Sequence, residues 1–331
     1  MNKFKLGFGP MSRDIIDILG TYTEEQQYPL MLIASRNQVD FESGYVMTTE
    51  QLGEEANHYS RKNLLLCRDH CGPYFSDMDR VLGIDAAILR CQSTIAADIK
   101  AGFDLIHIDV SRIKDNQLEY AKKLIEFTLN IEPNMKLEFG SEDNTGVDVN
   151  SSIGRIDDQI EFLKAYKDNV VFFVSQTGSL TKDGQIGKFN VKSNKKVAEQ
   201  LHEAGYLFKE HNADYFDLSD IEKRIDAGID AINIAPQLGK IQTDLLTEMS
   251  GHTDEYKKFA ELVYSQPNIW TRWMSNGSTD RDTAVSVSGH YHFATKEYQD
   301  AVAVIDEKQF KHELKNRIYT LVDMYRTFDR E

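Results

Sequence analysis

The stretch AGFDLIHIDVSR, Ala101 to Arg112, sets the reading of the whole chain. Its apolar run Leu105–Ser111 is short and rich in Leu, Ile and Val, as a strand buried on both faces should be. His107 and Asp109 alternate along it, so their side chains share one face. Seven further runs repeat the pattern: Leu6–Pro10, Pro29–Ser35, Asn63–His70, Met135–Glu142, Val170–Gln176, Tyr206–Asn212 and Ala231–Gln237. Helix-like segments separate them at Ser12–Gly20, Thr48–Arg61, Asp77–Lys100, Asn116–Asn130, Ile156–Tyr166, Ser193–Ala204 and Leu218–Ala227. The TTEQ that opens the second segment resembles a capping box. Strands alternating with helices predict an α/β fold with a parallel sheet, and eight strands close a (β/α)8 TIM barrel. An open doubly wound sheet is the alternative, but no GxGxxG follows the first strand, which removes the usual dinucleotide fingerprint.

Working outward, residues 1–240 hold the barrel core. Residues 241–331 supply the last barrel helix and a helical C-terminal extension of the same domain, with long helical stretches at Gln242–Tyr264 and Thr295–Thr327. The 331 residues are 41% hydrophobic and 27% charged, enough to bury a sizeable core. A net charge of −15 argues against nucleic acid and against an anionic membrane surface as partners. It leaves room for a phosphorylated small molecule, which needs only a local cluster of positive groups. Cys67, Cys71 and Cys91 read as reduced thiols of a cytoplasmic protein. The N-terminus shows no secretory signal, and no stretch approaches a membrane span.

In a barrel, chemistry gathers at the carboxyl ends of the strands. Those ends read SRNQVD (Ser35–Asp40), CRDHCGP (Cys67–Pro73), IHIDVSR (Ile106–Arg112), LEFGSED (Leu137–Asp143), VSQTGS (Val174–Ser179), KEHNADY (Lys209–Tyr215) and INIAPQLG (Ile232–Gly239). Asp69-His70 is the sharpest pair: a neutral imidazole suits a divalent metal, and the adjacent carboxylate can carry protons. His211 supplies a second imidazole from across the barrel. Glu142 and Asp143 are candidates to complete the shell or to act as base, and Glu138 shares the parity of Glu142 along the strand or forms a structural ion pair. Asp109 is a candidate for contact with a ligand or substrate hydroxyl, or else makes a core hydrogen bond; His107, one layer deeper, is expected to be structural. Gln176 and Asn233 can bond a substrate oxygen. Arg36, Arg68 and Arg112 follow three consecutive strands and are candidates to hold an anionic substrate group, or else pair with local carboxylates. His290 and His292 are expected to be an exposed, incidental pair, and Trp270 and Trp273 to pack.

These strand ends carry a resemblance. SRNQVDFESGYVMTTEQL, DHCGP, AGFDLIHIDVS, FGSED, VSQTGS and FKEHNADY resemble, in that order, the Z-type (GatZ/KbaZ-like) subunit of D-tagatose-1,6-bisphosphate aldolase. That family is similar in turn to the class II, metal-dependent aldolases. The likeness runs from about residue 6 to about residue 240, and includes Asn37 and Gln38 of N-Q-V-D as substrate-side positions. It implies a sugar or sugar-phosphate substrate and a divalent metal, zinc first, with manganese, cobalt or nickel as alternatives. It further implies Asp69 as proton shuttle, His70, His211 and Glu142 at the metal, and Asn233 as the Asn of an N-I-D pattern. Two departures stand out. The third metal-binding histidine of class II aldolases is replaced around Gln176, and the Gly-rich phosphate loop by Asn212-Ala213-Asp214, which brings a negative charge to that place.

The activity implied is aldol chemistry, either retro-aldol cleavage or epimerisation at carbon 4, on a ketose or ketose phosphate. The rival expectation is a non-catalytic subunit that stabilises a Y-type aldolase partner; a second copy of the chain is the other partner expected. A third is an isomerase acting on an unphosphorylated or carboxylated sugar.

Overall fold

The computed structural model describes residues 4–140, 153–175, 177 and 182–329. Eight parallel strands close into a barrel: β1 (Leu6–Phe8), β2 (Leu30–Ser35), β3 (Leu64–Cys71), β4 (Leu105–Asp109), β5 (Lys136–Gly140), β6 (Val170–Val174), β7 (Leu207–Glu210) and β8 (Ala231–Ile234). Each pairs with its sequence neighbours, and β1 closes the ring by pairing with β8 as well as β2. Helices follow in alternation: α1 (Arg13–Gln26), α2 (Thr49–Ala56), α3 (Ile84–Lys100), α4 (Gln117–Ile131), α5 (Ile153–Leu163), α6 (Val191–Ala204), α7 (Leu218–Asp226) and α8 (Pro236–Ser250). The fold is the expected (β/α)8 TIM barrel.

Period-2 alternation explains the two cores. Residues such as Leu64, Leu66, Ile106, Ile108, Phe139 and Phe208 face outward and pack under the helices. Met31, Ile33, Leu65, Cys67, Leu105 and Phe172 fill the lumen. The Thr48 cap of α2 is real: its hydroxyl accepts the Gln51 N–H while the Gln51 side chain accepts the Thr48 N–H.

The C-terminal extension is helical but broken where one long helix was expected. Thr253 caps a new helix, α9 (Asp254–Tyr264), three residues after α8 ends. Beyond the short α10 (Pro267–Trp270) and α11 (Arg281–Ser288), Asp306 separates α12 (Lys296–Ala303) from α13 (Glu307–Arg326). In both places a side-chain oxygen satisfies N–H groups that a continuous helix would have used. Trp270 packs as expected, stacked on Tyr264. His290 and His292 correct the expectation of exposure: they sit buried on a 3-10 turn, His290 against Tyr45, Tyr291 and Trp273. Among the described residues, no helix is long and apolar enough to cross a membrane.

Candidate active site

Neighbouring residues of a regular strand face opposite sides, so Asp69 and His70 should not both reach the lumen. They do because β3 bulges. Its register with β4 slips between Arg68 and Cys71, and His70 adopts a left-handed φ of 49°. Such a conformation costs a non-glycine residue about 1 kcal/mol or more and persists only where its surroundings enforce it. Gly72 is one enforcer, because a Cβ there would lie 1.5 Å from the Asp109 carbonyl oxygen of the next strand. Phe75 is another, stacked flat on the His70 ring with centroids 4.9 Å apart. Arg112 lies over the Phe75 ring, 4.1 Å from its centroid.

Three imidazoles meet at the mouth. Ring centroids of His70, His107 and His211 lie 4.8–5.2 Å apart, and one ligand atom from each, with one from Asp69, fall within 4.8 Å of one another. A carboxylate stands behind two of the rings. Asp109 Oδ2 lies 2.6 Å from His70 Nδ1 and holds the proton there. Glu138 Oε2 lies 3.5 Å from His211 Nε2, and Lys209 clamps Glu138 from within the lumen. The remaining nitrogens, His70 Nε2 and His211 Nδ1, face each other across 3.3 Å. Asp69 Oδ1 joins them 3.2 Å from His211 Nδ1, and the Asn233 amide donates to that oxygen at 3.4 Å.

Two such nitrogens beside a carboxylate sit this close only with a cation or a proton between them. Ligands about 2.0–2.1 Å from a tetrahedral ion are ~3.4 Å apart, close to the 3.2–3.3 Å spacings here. Carboxylates on the far nitrogens are also what orients histidine ligands in metal sites. The donor set therefore fits a divalent metal.

A proton on His70 is the alternative occupant of that gap. Burial would pull the His70 imidazole down, but the Asp69 and Asp109 carboxylates outweigh it and push it up to about 9. Burial lowers His107 and His211 to about 3, keeping both rings neutral. Burial would raise Asp109, yet the His70 contact and the neighbouring imidazoles hold it down at about 2.

The other sequence candidates divide. Arg68 is corrected: alternation turns it outward, and it is fully buried under α3. Its guanidinium forks onto Asp98 at 2.7 and 2.6 Å and donates to the Ala34 and Val39 carbonyls at 2.8 and 2.6 Å. Arg36 is corrected likewise. It is buried on Asp79 and donates to the Gly72 carbonyl and the Thr94 hydroxyl, both at 3.1 Å, so it ties the loop after β3 to α3. Gln38 accepts the Ser35 N–H and points its amide at the Met11 sulfur, and Asn37 accepts the Asp77 N–H; both lock loops. Arg112 alone of the three arginines is exposed, at the rim. Glu142, Asp143 and Gln176 lie outside the described residues. The three cysteines are free, buried and apart from the imidazoles that converge at the mouth.

His107 joins the cluster, and Glu138 pairs with Lys209. His107 does lie one layer deeper than Asp109 on β4, but β3 and β4 pair Arg68 with Ile106, so the next step brings it level with Asp69. β4 and β5 pair His107 directly with Glu138. The signal was register between parallel strands, which alternation within one strand does not contain.

Structures of known proteins share this architecture. A probable tagatose 6 phosphate kinase from Sinorhizobium meliloti 1021 superposes with a TM-score of 0.76 at 17% identity, over 96% of this chain and 93% of that one. Fructose-bisphosphate aldolase from Campylobacter jejuni matches at 0.56 and 14%, over 97% and 90%. A putative fructose-1,6-biphosphate aldolase from Coccidioides immitis matches at 0.51 and 13%, over 93% of each chain. At these identities the likeness is one of fold, and it fits the resemblance carried by the strand-end motifs. No family model and no curated protein matches the sequence.

Proposed function

We propose that the chain performs class II-type aldol chemistry, cleavage or carbon-4 epimerisation, on a ketose or ketose phosphate. The observation that carries the proposal is the pair of imidazole nitrogens converging beside Asp69, with a carboxylate behind each ring. His70 Nε2 and His211 Nδ1 would hold a divalent ion, zinc by preference, with His107 and Asp69 in reach. Such an ion supplies Lewis acidity at a carbonyl oxygen.

The chain's own residues supply the rest. Asp69, partly open to the mouth and steadied by Asn233, takes the proton from the hydroxyl beta to that carbonyl. The bond between carbons 3 and 4 then breaks, its electron pair moving toward the carbonyl. Protonation of carbon 3 of the resulting enolate, with Asp69 giving its proton up to solvent, and release of both fragments complete a cleavage; rotation of the aldehyde, re-formation of the bond between carbons 3 and 4 on its other face and return of the proton from Asp69 to the new alkoxide give the carbon-4 epimer. Arg112 and Lys114, which line a cavity of about 380 Å³ together with Asp115, would attract an anionic substituent.

The test is an assay of the metal-loaded chain on fructose, tagatose and their phosphates, following triose release and epimer formation. Activity that falls at least about 100-fold in Asp69→Asn supports the reading; inactivity on every ketose overturns it. A second reading, a non-catalytic stabilising subunit, draws on Met78, Val81 and Leu89, large apolar side chains left 64–90% exposed. Activity gained by a separate aldolase subunit on mixing would favour that view.

A further inference from the structure

We propose that Asp214 acts as a built-in occupant of the phosphate station over β7 and β8, so that this barrel takes a ketose with at most one phosphate and discriminates against the bisphosphate. This rests on the aldol reading of the site and names its substrate class.

Barrel enzymes commonly hold a phosphate between the loops after their seventh and eighth strands, at a helix N-terminus whose free N–H groups face the anion. Here α8 starts directly after β8. Pro236 at its first position has no N–H, and Ala235 before it gives no side-chain cap. The cap arrives from the β7 loop instead. Asp214 Oδ1 accepts the Ala235 N–H at 3.0 Å and the Gln237 N–H at 2.9 Å, while the Leu238 N–H turns back to the Ala235 carbonyl. Donors that would meet a phosphate are thus engaged by a carboxylate of the same sign.

The carboxylate is 2% exposed and its loop is fastened on three sides. Ala213 donates its N–H to the Asn233 carbonyl at 2.9 Å and accepts the Tyr325 hydroxyl of α13 at 2.6 Å. Tyr215 donates its N–H to Gln237 Oε1 at 2.7 Å, an oxygen that also receives the Tyr325 hydroxyl. Asn212 and Tyr215, with φ of 63° and 64°, turn the chain sharply on either side. His211 and Asn233 belong to the mouth, and Asp214 and α8 follow them within three residues. A substrate end extending from the imidazoles toward β7 and β8 therefore meets Asp214. A single anionic group is better received across the mouth, beside Arg112 and Lys114.

The test uses the full chain at about pH 8, above the usual carboxylate range. Calorimetry compares the free sugar, each monophosphate and the 1,6-bisphosphate of fructose and of tagatose. The wild type should bind its best free or monophosphorylated ketose at least about tenfold more tightly than the bisphosphate, since like charges brought together are strongly disfavoured. Asp214→Asn keeps the acceptor oxygen and hence the fold, and should cut that ratio to about threefold or less; Asp214→Gly should do the same or more. A wild type that prefers the bisphosphate, or a ratio unmoved in Asp214→Asn, overturns the proposal. Inorganic phosphate separates this from the aldol reading. It should raise the melting temperature of Asp214→Gly and not of the wild type, even if no sugar is turned over; equal protection of both overturns the proposal while leaving the aldol reading standing.

Discussion

Replacing Arg68 by Met separates a structural arginine from a substrate-binding one. The side chain is fully buried, and its fork on Asp98 is bidentate at 2.7 and 2.6 Å. Its remaining N–H groups reach two carbonyls and, at 3.3 Å, the Thr49 hydroxyl. Removal leaves Asp98 charged, equally buried and unpaired. Breaking a buried pair in this way costs about 3–5 kcal/mol, which in a chain of this size lowers Tm on the order of 10 °C. The double variant Arg68→Met/Asp98→Leu removes both charges and should regain most of the loss, because apolar replacement of a whole buried pair is often close to neutral. Denaturant and thermal unfolding of the wild type, both singles and the double measure this as a coupling energy. Wild-type stability in Arg68→Met with a raised KM for a phosphorylated ketose would refute the assignment and restore Arg68 to the substrate.

Asp109→Asn presents an amide to His70 Nδ1 where a carboxylate now lies at 2.6 Å, and drives the ring proton to the nitrogen that faces His211. Metal affinity by competitive chelation should fall about 10–100-fold with the fold intact; unchanged affinity would count against the His70 role. Gly72→Ala puts a methyl group against the Asp109 carbonyl and should cost at least about 3 kcal/mol in urea unfolding. Asp214 is raised by burial from 3.8 to about 7, despite the backbone N–H groups it accepts. Between those values the folded state keeps a proton that the unfolded state loses, so stability falls as pH rises through the window, by up to about 4 kcal/mol. Asp214→Asn should therefore match the wild type near pH 4 and exceed it at pH 8; an advantage independent of pH would contradict this.

The barrel was legible because buried strands are short, apolar and evenly spaced. Asp69, His70, Asp109, His211 and Asn233 were legible because ionisable and amide side chains at strand ends have few purely structural uses. Arg68 was legible as one of two alternatives, and alternation decides between them: the pattern that sends Asp69 inward sends Arg68 outward, to its ion pair with Asp98. What the sequence does not carry is the relation between strands. The bulge that brings His70 beside Asp69, the register that lifts His107 to their level, and the meeting of Glu138 with Lys209 across the lumen arise only when the sheet closes. The breaks at Thr253 and Asp306 left a weaker trace, a capping residue followed by acidic side chains within an otherwise continuous amphipathic pattern.

The most direct measurement is the metal content of the purified chain, by elemental analysis after dialysis against zinc, for the wild type, His70→Ala and His211→Ala. One tightly held divalent ion per wild-type chain, lost in both variants while their circular dichroism is unchanged, is the result expected. A wild type that binds none, or variants that retain the full complement, would contradict a cation gripped between those two rings.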